Sequence, residues 1–147
     1  METKDVQIKI AGVGDICRIA AAYASWGYGG GITSEDTAWL AEISGDVIGT
    51  VRVAPEHGTL VLRGMQVAEP WRGLGLGTRM LEAVASWLDN RRCYCIPYPH
   101  LERFYGQVGF RRIPGSAAPP FLADRTADYT QRGLDVVIML RSFEAST

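Results

Sequence analysis

The stretch Val67–Leu81, VAEPWRGLGLGTRML, decides how the rest of the chain is read. Gly73, Gly75 and Gly77 alternate with leucines, between an apolar run and a segment of helical periodicity. Glycine there costs backbone entropy and packs nothing, so its repeated use points to a backbone that something must approach. The first amides of a helix have no internal partner, and the helix dipole adds partial positive charge at that end. Without Cβ atoms, the oxygens of an anion reach those amides unobstructed. With Arg72 supplying a full positive charge, RGLGLGTRM reads as a cradle for a phosphate or pyrophosphate.

Three phosphate loops compete for this reading. A P-loop needs Gly-Lys-Ser/Thr, which occurs nowhere in the chain. A dinucleotide fingerprint needs G-x-G-x-x-G; Gly73 and Gly75 fit, but the third place falls on Thr78. That fingerprint also follows the first strand of a parallel fold, whereas this loop follows what reads as an antiparallel meander. What remains is R-x-x-G-x-G at Arg72, Gly75 and Gly77, with Gly73 not needed by the pattern.

Upstream of the loop, DVQIKI places Val6, Ile8 and Ile10 on one strand face. A helix follows, with Ile16, Ile19, Ala20 and Tyr23 at helical spacing. GYGGGITSED, residues 27–36, reads as a mobile loop, with Thr33 or Ser34 capping a short helical turn. A hairpin turning at Ser44-Gly45-Asp46, a second turn at APEHG and the strand TLVLRGMQV complete the meander. Gly64 inside that last strand marks a bulge. Downstream, Met80, Leu81, Val84, Ala85 and Leu88 form one apolar helix face, and RCYCI is a short strand. A helix opens at Pro99, followed by the strand VGFRRI. The proline-rich residues 114–133 hold a helical turn near FLADRTADYTQ, and LDVVIML closes as an apolar strand, interior or at a dimer seam. Strand–helix–strand units after a meander predict an α/β (α+β) fold. Its sheet is mixed and mostly antiparallel, with about six to seven strands flanked by helices.

Length and composition fit this plan. The 147 residues suit one domain spanning 1–147. Lys+Arg 15 against Asp+Glu 16 shows no basic excess, so a nucleic-acid partner is not expected. No apolar stretch approaches the ~20 residues of a membrane helix, and METKDVQIKI lacks a signal-peptide core; a cytoplasmic location without a membrane partner is expected. Cys17, Cys93 and Cys95 make no disulfide framework. Cys93, Cys95 and His100 match no common zinc spacing, so no metal is expected.

Together, VAEPWRGLGLGTRML and LERFYGQVGF resemble two motifs of the GNAT acetyltransferases. The first is that family's pyrophosphate loop, with Val67 ending the preceding strand. The second is its F-Y-x-x-x-G-F segment, at Phe104, Tyr105, Gly109 and Phe110. The resemblance covers nearly the whole element order and implies a sheet splayed at its central strands. It implies acetyl-CoA (coenzyme A) as cofactor, with its pantetheine arm facing the amides of Met65, Gln66 and Val67. The pyrophosphate would rest on Arg72, Gly73, Leu74, Gly75, Leu76, Gly77 and Thr78. The implied activity is N-acetyl transfer to a primary amine of a small molecule by direct attack in a ternary complex. A non-catalytic acyl-CoA sensor and an acetylase of protein or peptide amines are the alternatives.

In such a reaction Tyr105 matches the family's general acid for the departing thiolate, and the backbone near Met65 polarises the thioester carbonyl. Many relatives carry a glutamate base on the strand before the loop. TLVLRGMQV has none, leaving Glu42, Glu56, His57 and His100 as substitutes, or a relayed water, or an amine that arrives neutral. The family's asparagine near the start of the Tyr105 helix falls here on Tyr98. The acceptor would meet Trp26 and Tyr28 on one side, and Phe121, Asp124, Arg125, Asp128 and Tyr129 on the other. Arg63 pairs either an acceptor carboxylate, favouring an amino acid or amino-acid-like compound, or a carboxylate of the chain itself. Monomer and homodimer both remain open.

Overall fold

The computed structural model describes residues 2–143. Its strands are β1 (Gln7–Ile10), β2 (Thr37–Ile43), β3 (Asp46–Glu56), β4 (Thr59–Val67), β5 (Cys93–Cys95), β6 (Phe110–Ile113) and β7 (Ile138–Arg141). They form one sheet in the order β1-β2-β3-β4-β5-β7-β6. Among the described residues four α-helices accompany it: α1 (Ile16–Ser25), α2 (Leu76–Leu88), α3 (Glu102–Gly106) and α4 (Pro120–Gln131). Every strand pair is antiparallel except β4 with β5. The mixed, mostly antiparallel sheet expected from the sequence is therefore present.

Two tight turns set the meander's register. Ser44 and Gly45 lie at φ 51° and 83°, and His57 and Gly58 at φ 51° and 73°. Paired left-handed residues match the twist of the flanking strands, so Ile43 faces Asp46 and Glu56 faces Thr59. The second turn is thus shorter than the APEHG expected. β3 continues through exposed Pro55 to Glu56 because the sharp reversal needs only His57 and Gly58.

The bulge falls where the sequence places it. Arg52 faces Arg63 and Thr50 faces Gln66, so Gly64 and Met65 together oppose Val51. Gly64 has φ 67°, and a Cβ there would overlap Arg52 Nη1 and Tyr23 Oη. On its other side β4 meets β5 at one register pair only, Val61 with Tyr94. Past that pair the two strands diverge, and the splay opens a cleft at the centre of the sheet.

α2 seals one face. Met80, Leu81, Val84 and Leu88 are fully buried against the sheet, and burying each contributes about 1.5–3 kcal/mol relative to exposure. In α1, Ile19 and Tyr23 are buried, but Ala20 is exposed.

Three elements depart from the sequence reading. Residues 33–36 make a turn, not a helical one, in which the Asp36 amide donates to the Thr33 carbonyl at 3.1 Å; β2 starts at the next residue and leaves no room for a helix. The segment 120–131 is a full twelve-residue helix rather than a turn. Its fully buried side chain is Leu122, which packs with Val61, Tyr94 and Ile138, so its amphipathic signal is weak. β7 lies between β5 and β6, inside the sheet, and begins only at Ile138. Among the described residues, no helix is long and apolar enough to cross a membrane.

Candidate active site

The β4–β5 gap opens into two contiguous clefts. One, of about 360 Å³, is lined by Arg63 to Gln66, Cys95, Tyr98, Tyr105, Arg125, Tyr129 and Tyr28 among others. The other, of about 650 Å³, is lined by Met65 to Val67, Trp71 to Gly73, Gly75 to Thr78, Phe104 and Tyr105. Met65, Gln66, Tyr98, Leu101 and Tyr105 line both, so they form the waist of one groove.

At the loop end, the first amide of α2 with a partner in the chain is that of Arg79, bonded to the Gly75 carbonyl at 3.1 Å. Among the described residues, the amides of Gly73, Leu74, Gly75, Leu76, Gly77 and Thr78 have none. Gly73 and Gly75 adopt φ 77° and 83°, a conformation that strains residues with a Cβ. A Cβ at either would meet no protein atom within 4 Å. The left-handed backbone therefore selects glycine, and the space over the amides stays clear. Gly73 is thus as conformationally constrained as Gly75, although the sequence pattern did not require it. Gly77 is helical, and a Cβ there would stand 3.3 Å from the Phe104 ring; glycine lets α2 and α3 approach closely. Arg72 donates through Nε to the Val67 carbonyl at 2.9 Å and lines the same cleft. This donor-rich, Cβ-free arrangement fits a pyrophosphate.

Along β4, the Ala68 amide donates to the Ile48 carbonyl at 2.8 Å. Alternation in an antiparallel ladder then turns the Gln66 amide toward β3 and Val67 toward the gap, where Arg72 finds its carbonyl. Met65 and Val67 are therefore the residues of β4 that present backbone to the groove. Gln66 lines it but spends its amide on the sheet, which corrects the expectation that all three amides face the arm.

Tyr105 is 6% exposed, with its ring edge-on to Phe104 at 4.9 Å and Phe110 at 6.0 Å. Burial, then the neighbouring Cys95 and Tyr28, push its hydroxyl well above the usual tyrosine range. It remains a protonated donor at any working pH. Beside it, burial raises the Cys95 thiol and lifts Cys93 to about 12. Both sulfurs are neutral, and neither is an activated nucleophile.

At the far end stands a charged cluster that only the fold assembles. Arg125 on α4 grips Glu56 with two hydrogen bonds, of 2.6 and 3.2 Å. Arg63 stands 3.7 Å from the same carboxylate. Both arginines line the smaller cleft. Arg63 thus has a carboxylate of the chain nearby, but Arg125 holds it more tightly. Burial tends to raise Glu56, yet the Arg125 hydrogen bond and both cations hold it below the usual carboxylate range.

The proposed substitute bases fare differently. Glu42 is tied to Arg18 at 2.9 Å and Lys9 at 3.3 Å, outside both clefts. Its pKa is lowered, chiefly by the Arg18 hydrogen bond. His57 stacks obliquely on Phe121, 4.6 Å between centroids. His100 lines the loop end and stacks on Tyr98. Among the described residues, no carboxylate or histidine lines the smaller cleft. Trp26, Phe121, Asp124 and Asp128 also stay outside that lining, whereas Tyr28, Arg125 and Tyr129 reach it. Tyr98 and Leu101, at the waist, and Leu134 were not singled out by the sequence reading as lining residues; only the splay brings them to the groove.

Comparison with known proteins identifies the family and the fold. The acetyltransferase (GNAT) domain matches residues 34–112, and the chain belongs to the GNAT acetyltransferase family. It is 31% identical over 98 residues to a probable N-acetyltransferase camello of Xenopus tropicalis, a match spanning 60% of this chain and 45% of the relative. A GNAT acetyltransferase from Streptococcus pneumoniae shares the fold with a TM-score of 0.69 at 16% identity, covering 95% of this chain and 99% of that one. So does N-acetylglutamate synthase from Neisseria gonorrhoeae, whose structure contains coenzyme A and N-acetyl-glutamate; the TM-score is 0.66 at 19% identity, over 95% of this chain and 35% of that one.

Proposed function

We propose that the chain, read as one domain over 1–147, transfers an acetyl group from acetyl-CoA to the primary amine of a small amino-acid-like molecule. The observation that carries this reading is the groove itself. It has unpaired amides at one end, a bulged strand and Tyr105 at the waist, and an arginine pair at the other end. When bound, acetyl-CoA supplies an activated acyl group and a thiol leaving group.

In this reading the amides of Gly73 to Thr78, with Arg72, hold the pyrophosphate. Met65 and Val67 offer backbone to the pantetheine arm, and the bulge at Met65 polarises the thioester carbonyl. The hydroxyl of Tyr105 holds a proton at the waist, ready for the thiolate. Arg63 faces the acceptor carboxylate, Tyr28 and Tyr129 wall its apolar part, and Arg125 restrains Glu56 from taking Arg63 for itself. Among the described residues no carboxylate or imidazole lines the acceptor end, so in this reading the amine enters in its neutral form.

Thiol release from acetyl-CoA over a panel of amines, for the wild type and Tyr105→Phe, tests the proposal. Turnover that depends on the acceptor and falls in the variant supports it. Tight coenzyme A binding with no turnover on any amine replaces it by the sensor reading, and turnover confined to peptide amines replaces the acceptor.

A further inference from the structure

Behind the bulge lies a charge that the proposed chemistry does not use. Arg52, on β3, is 1% exposed. Its Nε lies 3.2 Å from Asp36 Oδ2 yet has no aligned hydrogen bond. Its Nη1 stands 3.4 Å from both Tyr23 Oη and Tyr28 Oη, and the guanidinium carbon lies 5.6 and 5.8 Å from the two ring centroids. A buried ion pair is seldom more stable than a well-packed apolar replacement, so stability alone does not account for an arginine here.

Its contacts converge on two parts of the groove. Tyr28 and Asp36 are the two ends of the glycine-rich loop, and Asp36 also accepts from the Thr33 amide at 3.2 Å and the Thr33 hydroxyl at 3.3 Å. Arg52 therefore contacts the loop near both ends, and between them Gly30 lies so close to the Tyr28 ring that a Cβ there would overlap it. Tyr23, on α1, donates to the Gly64 carbonyl at 2.7 Å and so fixes the bulge. Arg52 itself sits across from Arg63, on the flank of that bulge. One guanidinium thus links the wall that carries Tyr28 to the backbone that carries Met65.

We propose that Arg52 is a positioning residue that locks the 27–36 loop and the β4 bulge into one unit, so that acceptor wall and thioester contact are set together. This rests on the site reading above for its catalytic meaning, but the mechanical link stands apart from any activity.

The test uses the full-length chain in two measurements. The first is amide hydrogen exchange without acceptor, in wild type, Arg52→Lys and the paired variant Arg52→Met/Asp36→Asn, which leaves no charge stranded. Exchange should accelerate by about tenfold or more in residues 27–36 and in 64–67 together, while α2 keeps its protection. Acceleration of the loop alone, or of α2 to the same degree, overturns the proposal. The second is a double-variant cycle of Tyr23→Phe and Tyr28→Phe on acceptor kcat/KM. The two should be coupled when Arg52 is present and additive, within about twofold, in Arg52→Lys. Additivity in both backgrounds overturns the link. Should the wild type acetylate no amine, the exchange result still decides the proposal, and only the functional reading falls. A merely structural Arg52 would make activity follow Tm. Here Arg52→Lys, which keeps the charge beside Asp36 but cannot reach both hydroxyls, should recover Tm without recovering kcat/KM.

Discussion

Replacing Glu56 by glutamine should strengthen the binding of carboxylate-bearing acceptors. Among the described residues, Glu56 is the carboxylate paired with Arg63 and Arg125, at 3.7 Å and 2.6 Å. It is ionised at neutral pH because Arg125 and Arg63 outweigh the effect of its burial. Two unit charges at the Arg63–Glu56 separation of 3.7 Å attract by about 1 kcal/mol under water-like screening, and by about 4 kcal/mol at the dielectric typical of a protein surface. Arg63 is about a third exposed, so the lower figure applies, in line with measured exposed pairs. Freed of that competition, Arg63 should hold an acceptor carboxylate about fivefold more tightly. The assay compares KM for an amino acid with KM for the amine lacking only its carboxyl group. In Glu56→Gln the first should fall about fivefold and the second should not move. The lost grip of Arg125 on Glu56 should cost about 1–2 kcal/mol of stability, visible as a lower Tm. It leaves α4 docked through Leu122, which is fully buried. Equal shifts for both acceptors, or a higher KM for the amino acid with Tm well above assay temperature, would refute the role given to Arg63.

Other consequences are open to direct measurement. Gly75→Ala meets no neighbour, so its cost is the left-handed backbone alone, about 1–2 kcal/mol; Gly75→Val should in addition weaken coenzyme A binding in calorimetry, and unchanged affinity would remove the cradle. Gly64→Ala adds overlap with Arg52 and Tyr23 to the same strain, so it should lose about 3 kcal/mol or more in chemical denaturation, clearly beyond Gly75→Ala. Tyr105→Phe preserves the ring packing on Phe104 and Phe110; kcat should fall by about 10²–10⁴ with coenzyme A affinity retained, and a wild-type kcat would remove the acid. Burial holds the Tyr105 hydroxyl above its usual range, so it adds no falling limb to the pH–rate profile near pH 10, and a limb there that disappears in Tyr105→Phe would contradict this.

Local chemistry made part of the site legible in the sequence. The cradle depends on backbone conformation, and glycines announce such conformations; the bulge at Gly64 and the loop at Gly75 were readable for that reason. The Ser44-Gly45 turn was readable likewise. The motif leaves Gly73 out because a motif records spacing, whereas its need for glycine lies in φ 77°. The direction of the Gln66 amide is not legible in the sequence, because ladder alternation depends on the register with β3, which one strand's sequence does not contain. The sequence shows only a turn where α4 forms, because one fully buried leucine anchors it and a single such position creates no period. The Arg63–Glu56–Arg125 cluster joins residues from β4, the end of β3 and α4. Each is an ordinary surface residue in sequence, and only topology makes them neighbours.

In the proposed acceptor cleft, the lack of a lining carboxylate or imidazole among the described residues and the presence of two arginines are physically connected. A cationic pocket disfavours the ammonium form of an incoming amine, since like charge lowers the pKa of a base. Arg63 and Arg125 line that cleft with Glu56 already shared between them. An environment that binds a carboxylate in the proposed way therefore also favours entry of the neutral amine over its ammonium form, so the proposed reaction needs no base on β4. The consequence is quantitative. Across acceptors of graded basicity, the rising limb of kcat/KM should shift one for one with the amine's own pKa. An enzyme base would instead fix that limb at one pH for every acceptor. A common limb, insensitive to the amine, would show that a base has been missed, and His100, which lines the loop end of the groove, would be the first to replace.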